Sequence, residues 1–484
     1  MVRILRGDPF RNKWRLRLPR NALERPFLKR SAFRGDENAL ARKLNEFSFR
    51  FPKKAGLRDL IFKVEASIVY PPEAENAFPP SAETKRKEIA MSRHPVKQTE
   101  EGCGITAIGR NCFGCGVCAC ICPRTLLSIR LNKNGFFAPV ATNDPQCIHC
   151  NLCLSVCPCG DDLPAVPAGR IEPEAWSAGS RRERIRNQSA TGGIARELAE
   201  EWMERGRRVC TAVFNAQENC LEHLVLRTPE ELVRSAGAKY LQSYTLPGFS
   251  HLNGHERFLV IGTPCQIDGL RRYLRKRHWE EHFVLVDFFC RGVPSMRLWL
   301  KFTRFFKKKR QIFTDVAWQE KTNGKKEDRI VFTGKDGTRT AAGSRRNELF
   351  FGFYRDDLCL GSACYDRCKY KGTASAADLR LGEFQSSQTT QDSEATPGTI
   401  LVLTEKGRRT LEETAPRLNR HRLTLDDVLA GQMTRNAVRP RDNAVFRLFL
   451  RSAMPLNLIL KWKQWTRLLL YLPQELRRRF RKRS

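Results

Sequence analysis

No run of about 18 consecutive apolar residues occurs in this 484-residue chain, so no membrane-crossing helix is expected. The start lacks the charged-then-apolar pattern of a secretory signal, and its acids and low serine content argue against a transit peptide. A G-x-G-x-x-G dinucleotide fingerprint is absent, as are a recognition helix and an aromatic RNA platform. Acid is scarce: 52 Asp and Glu stand against 86 Lys and Arg, a net charge of +34. Without a base-reading element, that excess points to anionic partners or a solvated surface rather than to nucleic acid. Hydrophobic residues make up 41% of the chain, enough to bury a core and to exclude a disordered protein. The length suits two or three domains.

The charge is uneven. About +11 lies in residues 1–100 and about +11 in residues 421–484, whereas residues 103–165 are nearly neutral. That neutral segment is where cysteine concentrates. Eighteen cysteines in a small secreted chain would suggest disulfides, but here the thiols cluster at metal-ligand spacing in a large chain, which fits a reducing cytoplasmic setting.

Two runs, "CFGCGVCACICP" (112–123) and "CIHCNLCLSVCP" (147–158), each read Cys-x-x-Cys-x-x-Cys-x-x-x-Cys-Pro. This is the spacing of bacterial ferredoxins with two [4Fe-4S] clusters, in which the fourth Cys of one run reaches the cluster of the other. Cys112, Cys115, Cys118 and Cys157 are expected to hold one cluster, and Cys147, Cys150, Cys153 and Cys122 the other. Paired zinc knuckles would leave the third Cys of each run superfluous. Between the runs, alternation around Asn134-Gly135 signals a hairpin. Cys120 and Cys159 fall outside the ligand register and read as small buried hydrophobes.

Residues 161–186, rich in Pro, Gly and Arg, read as a linker. Beyond it, "SATGGIARELAEEWMERG" places a Gly-Gly turn before a helix from Ile194, whose free N–H groups suit phosphate. "VCTAVFN" reads as a strand, "RFLVIGTPCQIDGLRRYL" as strand-turn-helix and "FVLVDFFCRGVPS" as strand-turn, an α/β pattern.

Ser189, Gly192 and Gly193, then "GAKY", "GTPCQ", "FFCRGVPS" and a later Cys cluster followed by "ADLRLGEF", resemble in order the coenzyme F420 hydrogenase/dehydrogenase beta-subunit family over residues 186–420. The resemblance implies an iron–sulfur flavoprotein oxidoreductase: FAD, a third [4Fe-4S] cluster, and a deazaflavin or related small molecule as hydride donor or acceptor. A redox partner protein or reduced ferredoxin would exchange electrons with it. Carried over by motif position, Cys265, Cys290, Cys364 and Cys368 would hold the third cluster, and Ser189, Gly192, Gly193, Lys239, Tyr240, Thr263 and Gln266 would contact the cofactor. Three residues separate Cys364 from Cys368 where the family has two, so Cys359 is an alternative ligand. Ala238 stands where relatives usually carry Ser or Thr. A non-catalytic iron–sulfur subunit serving a partner enzyme is the rival reading.

The expected architecture is a basic extension (1–100), a ferredoxin-like α+β module (103–165), a larger α/β flavin and iron–sulfur domain (166–420) and a basic helical tail (421–484). Met91 is a second candidate start. In the tail, Leu456, Ile459, Trp462, Trp465, Leu469 and Leu472 recur at helical spacing beside Lys461, Gln464 and Arg467. That pattern suits a peripheral helix on anionic lipid or one packed on its own domain.

Overall fold

The computed structural model describes residues 3–5, 15–17, 104–142, 146–307, 313–322, 325–384 and 398–471. Residues 83–467 form one compact unit and residues 1–82 with 468–484 another. Of the basic extension, the described part is an antiparallel ribbon, β1 (Arg3–Leu5) with β2 (Arg15–Arg17). Met91 lies outside the described residues.

The cysteine-rich module begins with a 3-10 segment, Gly104–Asn111, and holds short helices Val117–Ile121 and Leu152–Ser155, each directly after the tight turn of a cysteine run. Between them stands the expected hairpin: β3 (Leu127–Leu131) pairs antiparallel with β4 (Phe137–Ala141). The Asn132 side chain caps its turn by accepting from the N–H groups of Asn134 and Phe136. The hairpin tip is anchored outside the module. Ser295 Oγ donates to Asn134 O at 2.6 Å, and Met296 N donates to Gly135 O.

The larger part is built on a nine-stranded mixed sheet. In chain order its strands are β5 (Arg170–Ser180), β6 (Arg208–Asn215), β7 (Cys220–Leu226), β8 (Ser243–Tyr244), β9 (Phe258–Ile261), β10 (Phe283–Phe288), β14 (Leu379–Glu383), β15 (Gly398–Thr404) and β16 (Leu418–Leu423). The spatial order is β16-β5-β15-β14-β10-β9-β6-β7-β8. Strands β14, β10, β9 and β6 run parallel at its centre, and their uninterrupted apolar runs such as Phe258–Ile261 are what a strand buried on both faces requires. The helices Ile194–Glu204 and Pro264–Lys276 contribute to two of its buried cores. Within 296–354 a three-stranded sheet, β11 (Phe313–Thr322), β12 (Lys325–Gly334) and β13 (Arg339–Ala341), closes over an aromatic core of Trp299, Phe302, Trp318, Phe332 and Phe350.

The segment 161–186 is no linker. Residues 170–180 form β5, which lies between β15 and β16. Its Pro173 falls where the register with β15 shifts, a position at which a missing N–H does little harm. In the tail, Leu456 and Ile459 are fully buried, and the Trp462 ring meets Phe446 and Phe449 edge-on at 5.2 and 5.0 Å. This part of the stripe is therefore covered by the chain's own domain rather than left open to lipid. Leu472 and the side chain of Leu469 lie outside the described residues. Among the described residues no helix is long and apolar enough to cross a membrane.

Candidate functional site

The first cysteine run is pressed into the larger domain. Gln242 bridges the run and the hairpin: its Nε2 donates to Phe113 O at 3.0 Å, and its Oε1 accepts from Phe137 N, at the start of β4, at 2.8 Å. Thr245 Oγ1 donates to Cys115 O at 2.8 Å. Cys112, Cys115, Cys118 and Cys157 line one narrow apolar cavity together with Ile105, Phe113, Val117 and Pro158. Three thiols of the first run and the fourth of the second thus share one enclosure, with Cys159 also on its wall. Burial pushes the Cys112 thiol up to about 12, and burial and then the other cysteines raise Cys115 and Cys118 far above the ordinary thiol range. These three thiols stay protonated unless a cationic metal centre replaces the protons, whereas a hydrogen bond with Cys159 lowers Cys157 to about 7. The donor set therefore fits a thiolate-ligated cluster.

The second run is more open. Cys150 is exposed and Ile148 is 54% exposed, whereas Cys147 and Cys153 are half-buried. Burial raises the Cys153 thiol, and its electrostatic neighbours include Cys150 and Cys122, the latter from the opposite run. Outside both sets, Cys159 Sγ donates to Asn111 O at 3.1 Å. Cys120 is half-buried, its thiol pushed up to about 12 by burial.

A third group forms beyond the module. β9 and β10 are adjacent and parallel, so Cys265, just after β9, and Cys290, just after β10, emerge at the same edge of the sheet. Thr263 caps the helix Pro264–Lys276, with Pro264 opening it, and fixes the turn that carries Cys265. Cys265 is raised by burial and then by the charge of Cys290, Cys364 and Cys368; Cys290 reaches about 12 by burial, with Cys364 and Cys368 adding to it. The packing agrees: Cys265 and Cys368 lie against the same core of Phe113, Ala363 and Tyr370, and a Cβ at Gly292, two residues past Cys290, would lie 3.5 Å from Cys364 Sγ. Cys359 is not among these four: it is 1% exposed, and the charges it feels are those of Arg447, Lys463 and Asp442. Lys371, which the motifs did not single out, donates from Nζ to Cys290 O at 2.6 Å. Among the described residues no three His, Cys, Asp or Glu converge on a single metal ion. A cube needs no such convergence, because its cysteines stand apart at separate corners.

The charged residues of "ADLRLGEF" have work inside the sheet. Arg380 pairs in two bonds of 2.7 Å with Asp287 on the neighbouring strand, both fully buried, and donates to Gly372 O. Asp378 accepts from Leu285 N and Thr404 Oγ1. These bonds tie the loop after Cys368 to β10, the strand just before Cys290.

The residues assigned to cofactor binding spread along the same sheet edge. Register places Gly398 opposite both Glu383 at the end of β14 and Ala178 on β5. A Cβ at Gly192 would lie 2.8 Å from Gly398 N and 2.9 Å from Ala178 O, so the Gly-Gly turn sits at that row. Gly193 caps the helix Ile194–Glu204 in a left-handed conformation without a side-chain cap. Ser189 precedes this turn in extended backbone. Tyr240 meets Tyr354 and Phe351 edge-on at 5.2 and 5.6 Å and accepts from Gln319 Nε2. Tyr354, absent from every motif, donates from its hydroxyl to Gly292 O at 3.5 Å, two residues past Cys290, and its ring meets Tyr240; burial and then the charge of Cys290 raise that hydroxyl. Other assigned residues spend their polar groups internally. Lys239 Nζ donates to Ser235 O and Ala236 O at 2.7 Å, and burial lowers its amine to about 8. Gln266 accepts from Thr263 N and donates to Ser243 Oγ. The last residue of "GEFQ", Gln385, lies outside the described residues.

Two family profiles match, both of the beta subunit of coenzyme F420 hydrogenase/dehydrogenase. The profile of its N-terminal part covers residues 175–249, and that of its C-terminal part covers residues 255–424. No curated protein matches the chain. Among solved structures, a chain of the xenon-derivatised F420-reducing [NiFe] hydrogenase complex from Methanosarcina barkeri aligns at 16% identity and a TM-score of 0.35, over 59% of this chain and 91% of that one.

Proposed function

The chain belongs to the coenzyme F420 hydrogenase/dehydrogenase beta-subunit family, and from that premise we propose an iron–sulfur flavoprotein oxidoreductase with three [4Fe-4S] clusters and one FAD. Cys112, Cys115, Cys118 and Cys157 would hold the inner ferredoxin-type cluster, Cys147, Cys150, Cys153 and Cys122 the outer one, and Cys265, Cys290, Cys364 and Cys368 the third. FAD when bound would couple two-electron hydride chemistry to one-electron carriers. Ser189 and the helix start at Gly192 and Gly193 would receive its phosphates, and Tyr240 would wall the site beside Tyr354; Lys239, bonded to Ser235 O and Ala236 O, would hold the loop that carries Tyr240. Thr263 and Gln266 act one step back, by fixing the turn that carries Cys265. The substrate class is a small anionic hydride donor or acceptor of the deazaflavin kind, which suits a strongly basic chain.

The observation that carries this reading is the grouping of Cys265, Cys290, Cys364 and Cys368 at the sheet end beside Tyr354 and Tyr240. Anaerobic purification with iron, sulfide and flavin analysis tests it, and about twelve irons, four per cluster, with one FAD are expected. Cys364→Ala should lose one cluster's iron and Cys359→Ala none. Eight irons with intact folding would remove the third cluster. The rival reading, an iron–sulfur subunit without chemistry of its own, gains from the internal bonding of Lys239 and Gln266. It prevails if iron-replete protein retains no flavin after reconstitution.

A further inference from the structure

One helix runs past two of the three thiol groups. Pro264–Lys276 carries Cys265 in its first turn; one turn on, a Cβ at Gly269 would lie 2.9 Å from Cys115 Sγ. Four residues of helix rise by about 6 Å, so the inner ferredoxin set and the third set are close neighbours along its length. The backbone agrees. Lys369, next to Cys368, donates from Nζ to Pro158 O, Asp161 O and Leu163 O at 2.7 to 2.8 Å, clasping the chain just after Cys157. The Phe113 and Tyr370 rings meet edge-on at 5.6 Å across the same seam. The set around Cys147, Cys150 and Cys153 takes the remaining place, with Cys150 at the surface. A carrier outside the chain therefore reaches the outer set first.

The surface beside that outer set has a definite chemistry. An open groove of about 640 Å³ is lined by Ser155, Asp161 and residues 163–165 on one side and by Arg272, Arg275, Lys276 and His278 on the other. Ser155 closes the short helix that follows the outer loop. The far wall is the C-terminal end of the same helix Pro264–Lys276, where Arg275, Lys276, Arg277 and His278 are consecutive and exposed. Three acids answer: Asp161 and Asp268 pair with Arg272, while Arg275 pairs with Glu280. Four cations, Arg272, Arg275, Lys276 and Arg277, stand against these three acids, and the excess lies at the exposed helix end, Lys276 and Arg277. Exposed apolar side chains accompany it, Ile148 at 54%, Leu163 at 75% and Val166 at 62%. Arg272 and Arg275 donate to Leu163 O and Val166 O, so cations and exposed apolar side chains stand together, the composition of a transient protein-binding patch.

We propose that the outer loop 147–151 and the basic helix end 275–278 form the docking surface for a small acidic electron-carrier protein of the ferredoxin kind. The inference rests on the reading of the cysteine runs as cluster ligands. What crosses the surface is one electron, with no proton moved and no bond made or broken. The chain's strong net positive charge steers an acidic carrier toward it, and the local cations fix where it lands.

The test measures binding rather than turnover. Full-length, iron-loaded protein is titrated with an acidic two-cluster ferredoxin at low and high salt. Lys276→Glu combined with Arg277→Glu should weaken Kd by about tenfold or more at low salt, with the difference vanishing at high salt. A matched reversal on the three-stranded sheet, Lys335→Glu with Arg339→Glu, changes net charge equally and should move Kd less than about twofold. Carbodiimide coupling should join the carrier to Lys276. Equal weakening by both pairs would reduce the effect to overall charge and overturn the docking surface, as would no weakening by either. Wild-type protein lacking the eight ferredoxin-type irons would overturn the ligand reading instead, whatever the binding shows.

Discussion

The two cysteine runs share a ligand spacing and a backbone path, yet they differ where the spacing is silent. In the first run the residues after Cys112 and Cys115 include Gly114 and Gly116, with φ of 71° and 79°; at the equivalent places the second run has His149 and Asn151, with φ of 50° and 56°. Both runs bend through the left-handed region at the same points, which glycine enters freely and Asn or His enters at modest cost. Conformation alone does not explain the glycines. A Cβ on Gly114 would lie 2.1 Å from Gln242 Nε2, and one on Gly116 2.3 Å from Thr245 Oγ1. Here the larger domain closes on the loop, leaving no room for a side chain. His149 and Asn151 are exposed, so the same bend tolerates them. The contrast shows which run faces inward, and it uses a signal that ligand spacing cannot give.

Exchanging residues across this comparison should break it. Gly116→Asn places the outer run's residue at the inner position, and the clash with Thr245 on packed surroundings should cost about 3 kcal/mol. Anaerobic denaturant unfolding measures the loss, and iron analysis should show the inner cluster's four irons lost or loosened. A loss below about 1 kcal/mol would mean that the inner loop is not gripped as described.

A smaller effect is expected from Gln242→Ala. It strips two buried backbone groups, Phe113 O and Phe137 N, of their partner, and an unsatisfied buried group costs about 1–3 kcal/mol. The inner loop should lose protection from hydrogen exchange while the outer loop keeps its own. Uniform loss in both loops would show that the two runs respond as one body.

Lys369→Met sharpens the comparison at the seam between the inner run and the third thiol group. The amine's three carbonyl contacts are lost and its stem is kept, so about 1–2 kcal/mol should go, within the range for bonds from a charged donor. Cys157 and Cys368 should then react faster with a thiol reagent in metal-free protein. Unchanged reactivity of both would remove Lys369 as the clasp.

Much of this arrangement was legible in the sequence, for identifiable reasons. Ligand spacing is local, so the runs at 112–123 and 147–158 and the hairpin at Asn134-Gly135 could be read directly. The strands β9 and β10 were legible because strands buried on both faces are unbroken apolar runs. β5 was hidden by Pro173 and Gly179 within it and by Gly169 just before it, although its place in the sheet is decided by β15 and β16, more than 200 residues away. The tail stripe was visible, but what covers it depends on Phe446 and Phe449 in a separate helix. Tyr354 and Lys371 carry no motif, and only the fold brings them to Cys290. Gln266 was noticed for its motif, whereas its amide serves the turn.

The reciprocal exchange, Asn151→Gly, should have the smallest effect of all. Asn151 opens the helix Leu152–Ser155 from a left-handed conformation, with no side-chain cap bond, so replacing it sacrifices no capping interaction. Glycine relieves the modest strain of a left-handed non-glycine residue but gives the unfolded chain more freedom, worth about 0.4–1 kcal/mol in the opposite sense. The two terms nearly cancel, and a net change within about 0.5 kcal/mol is expected. Unfolding midpoints of the two proteins, measured anaerobically side by side, decide the matter. Should Asn151→Gly cost as much as Gly116→Asn, the outer loop would be held by packing as tight as the inner one, and the exposure of Cys150 could not mark it as the side from which a carrier is met.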